Sequence, residues 1–323
     1  MSDRDASVLE PVVYTAGVIN YRNYDDLSAC LKALQAQTHG AAHITVVDAD
    51  SDETRLAPLE LEFPTVDFER IENHGYAGGA NRLLAFLGRA VPDAEFSLIL
   101  NPDTFLEADF CGVLLNSMRS RPDVALAGGK LFRSGRERLD SAGLRLPLNR
   151  RPQDRGSRQP DRGQFDRAEY VFGASGAAMM IRLAALPDLE IEGEIFDEDF
   201  FVYHEDTDLS WRAHKLGWRV YYEPAAIAIH KRGWQKESRY SVPAEIRRHS
   251  FKNHYLQIAK NESLLSFVCL LPVFLFWEVL RFGFAILLDR TILPAYGQAY
   301  KLMGRAFHKR GVLQAKRRDR KSR

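Results

Sequence analysis

Three short stretches carry side chains that could do chemistry at one place. In the first, Asn101-Pro102-Asp103, a carboxylate closely follows an apolar run. A carboxylate there can hold Mg²⁺ or Mn²⁺ through hard oxygen contacts, and such a cation bridges to substrate phosphates without a full protein cage. Its task would be to neutralise the charge growing on a departing diphosphate. The same three residues also make an ordinary turn. In the second stretch, His204-Glu205-Asp206-Thr207-Asp208 precedes a helical pattern in which Leu209, Ala213 and Leu216 share a face and Gly217 is a stop signal. Carboxylates at a helix start are stabilised by its dipole, by about 0.3–1 kcal/mol each. One of them, kept ionised, can accept the proton of an attacking hydroxyl, although helix capping alone would account for the same residues. In the third, His230 ends an apolar run, and a lone His there is either a ligand or a hydrogen-bonded structural residue.

Two further features add weaker signals. Asp48 and Asp52 follow an apolar run and suit a base or ribose, or simply a turn. Gly75-Tyr76-Ala77-Gly78-Gly79 permits close backbone approach to a ligand. It is not GxGxxG and follows the third strand, which disfavours a dinucleotide site.

The elements that must position these residues follow from hydrophobic periodicity. Residues 12–19 and 44–47 read as buried strands, and Leu27, Cys30, Leu31 and Leu34 between them recur at helical spacing. A strand–helix–strand unit favours a parallel sheet with right-handed crossovers. Residues 66–71 and 96–100 read as further strands, with a helix opening at the Gly-rich turn. Ligands of open α/β sheets sit beyond the carboxyl ends of the strands, and that edge holds both Asp48 and Asp103. Residues 149–163 are polar and rich in Arg, Pro and Gly, so they read as a mobile loop or an acceptor-side insertion.

The bulk numbers exclude several classes. Hydrophobic residues make up 46% of the 323, so a large core can form. With 44 Lys+Arg against 43 Asp+Glu, the whole chain has no polyanion-seeking character. Cys30, Cys111 and Cys269 are far apart and offer neither a disulfide framework nor a zinc site. The polar N-terminal residues lack the apolar run of a signal peptide, which places the catalytic part in the cytoplasm.

The order and spacing of the motifs resemble family 2 glycosyltransferases of the GT-A type, and rhamnosyltransferase-like members in particular. The series runs Val18-Ile19-Asn20-Tyr21, Val46-Val47-Asp48-Ala49-Asp50-Ser51-Asp52, Asn73-His74-Gly75-Tyr76-Ala77-Gly78-Gly79-Ala80-Asn81 and Leu100-Asn101-Pro102-Asp103. It continues through Gly173-Ala174-Ser175-Gly176-Ala177, Phe196-Asp197-Glu198-Asp199-Phe200-Phe201 and Tyr203-His204-Glu205-Asp206-Thr207-Asp208-Leu209, and closes at His230.

The resemblance implies an α/β GT-A fold, Rossmann-like, with a mixed, mostly parallel sheet flanked by helices. The catalytic domain would cover residues 1–262, with an apolar and basic helical appendage over 263–323. It also implies an inverting transfer of a sugar, with dTDP-rhamnose as the first donor to consider, from a nucleoside diphosphate to a glycan or lipid-linked hydroxyl in cell-surface polysaccharide synthesis. In that scheme Asn20, Tyr21 and Asp48 line the base pocket, and Asp52, Gly78, Asn81 and Asn101 help hold the nucleotide sugar. Asp103 binds the metal and diphosphate, and His230 completes the metal site. Asp206 is the base, supported by Glu205 and Asp208, while Asp197, Glu198 and Asp208 lie toward the acceptor. The chain departs from the family pattern at Asn101, where an acidic residue is usual, at Ala49 and at Arg22.

The C-terminal part points to a membrane. As one helix, residues 264–288 would measure about 37 Å, enough for a bilayer. Pro272 interrupts the run and Glu278 and Arg281 lie inside it, and a central charge costs about 2.5–3.5 kcal/mol. Helices lying at the inner face of the membrane are therefore favoured over a span, with the basic end adding attraction to anionic lipid. A homodimer interface is the other use of such an apolar stretch. No nucleic-acid partner is expected, since the basic end lacks an aromatic or fold context. A sugar-nucleotide nucleotidyltransferase would carry a Gly-rich basic loop where Asn20-Tyr21-Arg22-Asn23 stands. A non-catalytic nucleotide- or glycan-binding protein of this fold would have no need of Asp103 and Glu205-Asp206.

Overall fold

A computed structural model describes residues 12–232 and 242–322. The polar N-terminal segment and the last residue of the basic run lie outside the described residues. Strand β1 (Tyr14–Asn20), helix α1 (Tyr24–Gln35), β2 (His43–Ala49), α2 (Glu53–Glu62), β3 (Asp67–Ile71), α3 (Gly75–Ala90) and β4 (Phe96–Leu100) form the first half. Their strands are parallel, in the order β4-β1-β2-β3. Alternation decides the facing. Tyr14, Ala16 and Val18 of β1 join one core with Leu27, Leu31 and Leu34 of α1, whereas Ile19 joins the other with Leu83 and Leu87 of α3.

The second half is mixed. It contains β5 (Thr104–Leu106), α4 (Phe110–Arg119), β6 (Val124–Phe132), β7 (Leu139–Ser141), β8 (Leu144–Arg145), β9 (Gln153–Asp154), β10 (Glu169–Val171) and β11 (Ala178–Arg182). A short α5 (Leu186–Leu189), then α6 (Glu205–Lys215) and β12 (Arg219–His230) complete it. Strand β11 lies antiparallel between β4 and β6, and β12 runs parallel to β6. The ten-stranded sheet therefore continues β4-β11-β6-β12-β10, with β5 on β12 and β7 on β6. A bulge between Glu223 and Ile227 accommodates Pro224, which has no N–H for the ladder. Beyond it β12 runs on to deliver His230 at its end. Leu209, Ala213 and Leu216 of α6 are all buried in the core, on the face their spacing predicts.

Three helices close the chain: α7 (Ala244–Asn261), α8 (Leu264–Leu287) and α9 (Pro294–Ser322). Helix α8 is continuous through Pro272, and of its side chains only Ala285 is buried. It is long and apolar enough to cross a membrane. The two charges that weigh against a span are turned toward the protein. Glu278 accepts hydrogen bonds from Tyr255 and Tyr296, and Arg281 donates to the Phe251 carbonyl and stacks over its ring. The basic end is not a loose tail. As part of α9, Leu313 is buried in the main core, Lys316 donates to the Pro187 carbonyl and Arg320 pairs with Asp188. The helices expected from residue 263 as an appendage thus pack back onto the sheet-containing part of the chain.

Candidate active site

A cleft of ≈ 510 Å³ opens where the ends of β4 and β12 meet the start of α6. It is lined by Asn101, Asp103 and His230 from the strands, by Glu205 and Asp206 from the helix, and by Asp154 and Arg232. Sheet register accounts for the first group. Strand β5 pairs antiparallel with β12, placing Thr104 opposite His230. Asp103 immediately precedes that pair, and its Oδ1 lies 3.3 Å from His230 Nε2. The other ring nitrogen, Nδ1, is 2.7 Å from Oδ2 of the fully buried Asp140. Arg133 and Arg232 flank the second Asp140 oxygen at 3.4 and 3.2 Å.

A carboxylate on one imidazole nitrogen fixes the ring and leaves the other free to ligate, as at many metal-binding histidines. One carboxylate and one imidazole therefore fit a divalent cation whose remaining ligands come from a diphosphate and water. Asn101 adds no charge, and no group of three or more acidic, His or Cys ligands occurs among the described residues. Burial lowers the His230 pKa, but the hydrogen bonds to Asp103 and Asp140 outweigh it and raise it to about 9. The site thus favours positive charge at this spot.

Asp206 sits in the first turn of α6, where its Oδ2 accepts from the Gly176 N–H at 3.1 Å and its Oδ1 from its neighbour Thr207 at 2.6 Å. Burial raises its pKa above the ordinary Asp value of 3.8, and Asp154 adds to this, while the two N–H groups oppose it. Glu205 is raised well above its ordinary value, first by burial and then by the charge of Asp206. Its Oε2 is buried without a hydrogen-bond partner. Two adjacent carboxyls in a dry setting separate into one ionised and one protonated. Of the two, Glu205 is held further toward its neutral form.

The loop leading into α6 is strained. Phe201, Tyr203 and His204 all have positive φ, at 65°, 69° and 72°, which for such residues costs of order 1–3 kcal/mol each. Asn253 on α7 holds the loop by donating to the carbonyls of Phe200, Val202 and Tyr203 at 2.8, 2.9 and 2.7 Å. From the other side Ala77 N–H donates to the Phe201 carbonyl at 3.1 Å. Gly75, with φ of 71°, lies so close that an added Cβ would stand 2.3 Å from that oxygen. Asn253→Ala is expected to orphan these carbonyls, costing roughly 1–3 kcal/mol for each one left dry. Thermal unfolding should show a lower melting temperature. Asn253 holds the loop that carries Asp206, the expected base, so turnover should fall more than affinity for a nucleotide sugar.

Several expected site residues are placed elsewhere. The close approach permitted by the Gly-rich turn is made to Phe201 of the chain itself. Gly78 packs against His74 and Glu198, and Asn81 clamps the backbone of Ile195 and Phe196. Their polar and steric capacity is thus used internally, away from the cleft. Asn20 and Asp48, paired by register, are fully buried, with the Asp48 oxygens taken by Asn20 at 2.6 Å and Tyr24 at 2.9 Å. Tyr21 alone of that group is exposed, with the Arg22 guanidinium over its ring. Asp52 caps α2 through Thr54. Asp197 and Asp208, expected toward the acceptor, lie in the interior bound to Lys260, and Glu198 pairs with Arg82.

Other contributors are absent from the sequence reading. Arg232 stands two residues beyond His230, so proximity was its one signal. Asp140, Asp154 and Asn253 come from separate elements and carry no local pattern. Residues 149–163, which read as a mobile loop or an acceptor-side insertion, contain strand β9 paired to β8 and supply Arg151 and Asp154 to the cleft.

The chain is similar to known proteins in sequence and in fold. An N-acetylglucosaminyl-diphospho-decaprenol L-rhamnosyltransferase of Mycobacterium tuberculosis is 26% identical over 233 residues, covering 66% of this chain and 74% of its own length. S. aureus TarS residues 1–349 in complex with UDP superposes with a TM-score of 0.57 at 15% identity, covering 96% of this chain and 89% of that one. GalNAc-T7 with UDP, GalNAc and Mn²⁺ gives a TM-score of 0.58 at 10% identity over 78% of this chain, which spans about half of that protein (48%). These two structures share the fold. The family described as Glycosyltransferase like family 2 matches residues 11–254. The chain belongs to that family, and it is a glycosyltransferase.

Proposed function

We propose that the chain transfers a sugar with inversion from a nucleoside diphosphate, dTDP-rhamnose being the first donor to test, to a hydroxyl of a glycan or lipid-linked acceptor in cell-surface polysaccharide synthesis. The carrying observation is the placement of Asp206, at a helix start, in the same cleft as Asp103 and His230. Asp206 takes the proton of the acceptor hydroxyl. The acceptor oxygen forms its bond to the anomeric carbon as the bond to the diphosphate breaks, and the electron pair leaves on the phosphate oxygen. Asp103 and His230 would hold a divalent cation, Mg²⁺ or Mn²⁺, which neutralises charge on the diphosphate. GalNAc-T7 is known with Mn²⁺, which supports this reading. The relative's lipid diphosphate acceptor and the exposed apolar face of α8 support a place at the inner face of the membrane, with α8 in contact with lipid.

Nucleotide sugars should raise the melting temperature of the folded chain by mass action, more strongly with Mn²⁺ or Mg²⁺. If no nucleotide sugar stabilises the chain or is turned over by it, the reading is wrong. A pH profile gives a second check. The base must be ionised, and its raised pKa makes activity fall with acid before an ordinary Asp would protonate. The acid limb should therefore lie above 3.8. Asp154→Asn removes a like charge and should move it to lower pH.

A further inference from the structure

A second cleft, of ≈ 250 Å³, lies between α7 and α8. It adjoins the first, and Arg151, His204, Arg247 and Ser250 line both. Arg281 of α8 completes a set of three guanidiniums, and no carboxylate among the described residues lines this space. Arg247 is paired with Asp289 at 3.2 Å. Neither Arg151 nor Arg281 has a carboxylate within salt-bridge distance among the described residues. The surrounding protein and the neighbouring Arg281 both lower the pKa of Arg151, as expected of like charges without an anion between them. His254 also lines the cleft, only 8% exposed, and burial and the nearby Arg281 hold its ring well below the usual His pKa. Concentrated positive charge of this kind describes a seat for a phosphate.

Apart from Asn149, the remaining lining is apolar, with Phe251 on α7. Trp277, Leu280 and Phe284 of α8 form its other side. From there the outer face of α8 continues with exposed Leu265, Phe276, Val279 and Leu287. An anion seat opening onto an apolar strip complements an amphiphile with a phosphate head and a long apolar chain. A free phosphate would have no use for the strip. His204, shared by both clefts, immediately precedes Glu205 and Asp206, so a sugar carried on such a head would extend toward the proposed base.

We propose that this second cleft binds the diphosphate of a lipid-linked acceptor, with Arg151 and Arg281 as the principal anion ligands and the lipid chain running along α8. The proposal rests on the transferase reading above and gives its acceptor side a location. It can be tested on the full chain in detergent micelles with farnesyl diphosphate as the probe, and with farnesol and inorganic diphosphate as separate arms. Farnesyl diphosphate should bind at least about tenfold tighter than either. Arg151→Gln and Arg281→Gln should each weaken it about tenfold or more, with farnesol binding unchanged in both and melting temperature unchanged in Arg151→Gln, and Arg281→Lys should restore part of the loss. Equal binding of farnesol, equal binding of inorganic diphosphate, or indifference to both Gln variants would each overturn the proposal. If Arg281→Gln fails to fold, Arg151→Gln on the catalytic domain still decides the matter. Nucleotide-sugar stabilisation, measured on the same samples, reports separately on the transferase reading. Its loss in the unsubstituted chain sinks that reading, whereas loss of arginine dependence with stabilisation intact sinks only the acceptor seat.

Discussion

Asp206→Asn should lower glycosyl turnover by about 10²–10⁴-fold, the range that general-base catalysis contributes. The substitution keeps the shape of the side chain, and its carbonyl oxygen can still accept from Gly176 N–H. Folding should therefore hold and melting temperature should barely move. Donor binding should also hold, because the charged groups nearest the proposed diphosphate seat are Asp103 and His230. The signature is a fall in kcat with little change in donor affinity, read by steady-state kinetics and nucleotide-sugar thermal shift. Near-normal turnover in this variant would remove Asp206 from the role. Glu205→Gln should cost far less, since burial and the charge of Asp206 already hold Glu205 toward its neutral form.

The second large effect is on stability. Lys260→Met should destabilise the fold by about 3–5 kcal/mol, the cost of breaking a buried ion pair from one side. Lys260 is almost fully buried and donates to Asp197 at 2.7 Å and Asp208 at 2.8 Å. Asp208 keeps Arg212 at 2.9 Å, and Asp197 keeps Lys309 at 2.5 Å, but each carboxylate loses a charge that offset its burial. Domains are stable by only about 5–15 kcal/mol, so urea unfolding should show a large drop. Adding Asp197→Asn to Lys260→Met should recover part of it, and no recovery would mean that the cost lies in packing. The pH dependence has a definite sign. Burial raises the Asp197 pKa, but Lys260 and Lys309 overcome this and depress it below 3.8. The stabilisation is thus complete above that ordinary value and is lost as pH falls through the lower native one. The variant, with less depression, should lose less stability in acid than the parent.

Much of this molecule is legible without coordinates. The apolar runs at β1, β2 and β4 and the spacing of Leu27, Leu31 and Leu34 specify their elements, because period and burial are local properties of the chain. The placing of carboxylates at strand ends and at a helix start is also local, and for that reason Asp103, Glu205, Asp206 and His230 stand out. The family resemblance placed Asp197 and Asp208 toward the acceptor, and the structure turns them inward. Their partner Lys260 lies on α7, and Lys309 on α9. Nothing in the stretch around an acidic residue shows which distant lysine will neutralise it, so an interior carboxylate and a functional one read alike.

The feature that opened the sequence reading divides along the same line. Asp103 and His230 are recognisable singly from type and position. Their contact is set by the pairing of Thr104 with His230 across β5 and β12, and the hold of Asp140 on the ring is set by a separate hairpin. The Gly-rich turn shows the opposite outcome. Its permissiveness is a property of the sequence, but the backbone that approaches it is Phe201, brought there by packing of the loop before α6. Sequence by itself determined which groups exist and which elements carry them, since both depend on neighbours a few residues away. Tertiary structure alone decided which charges meet and which are sealed, because those energies depend on distance and burial between segments far apart in the chain.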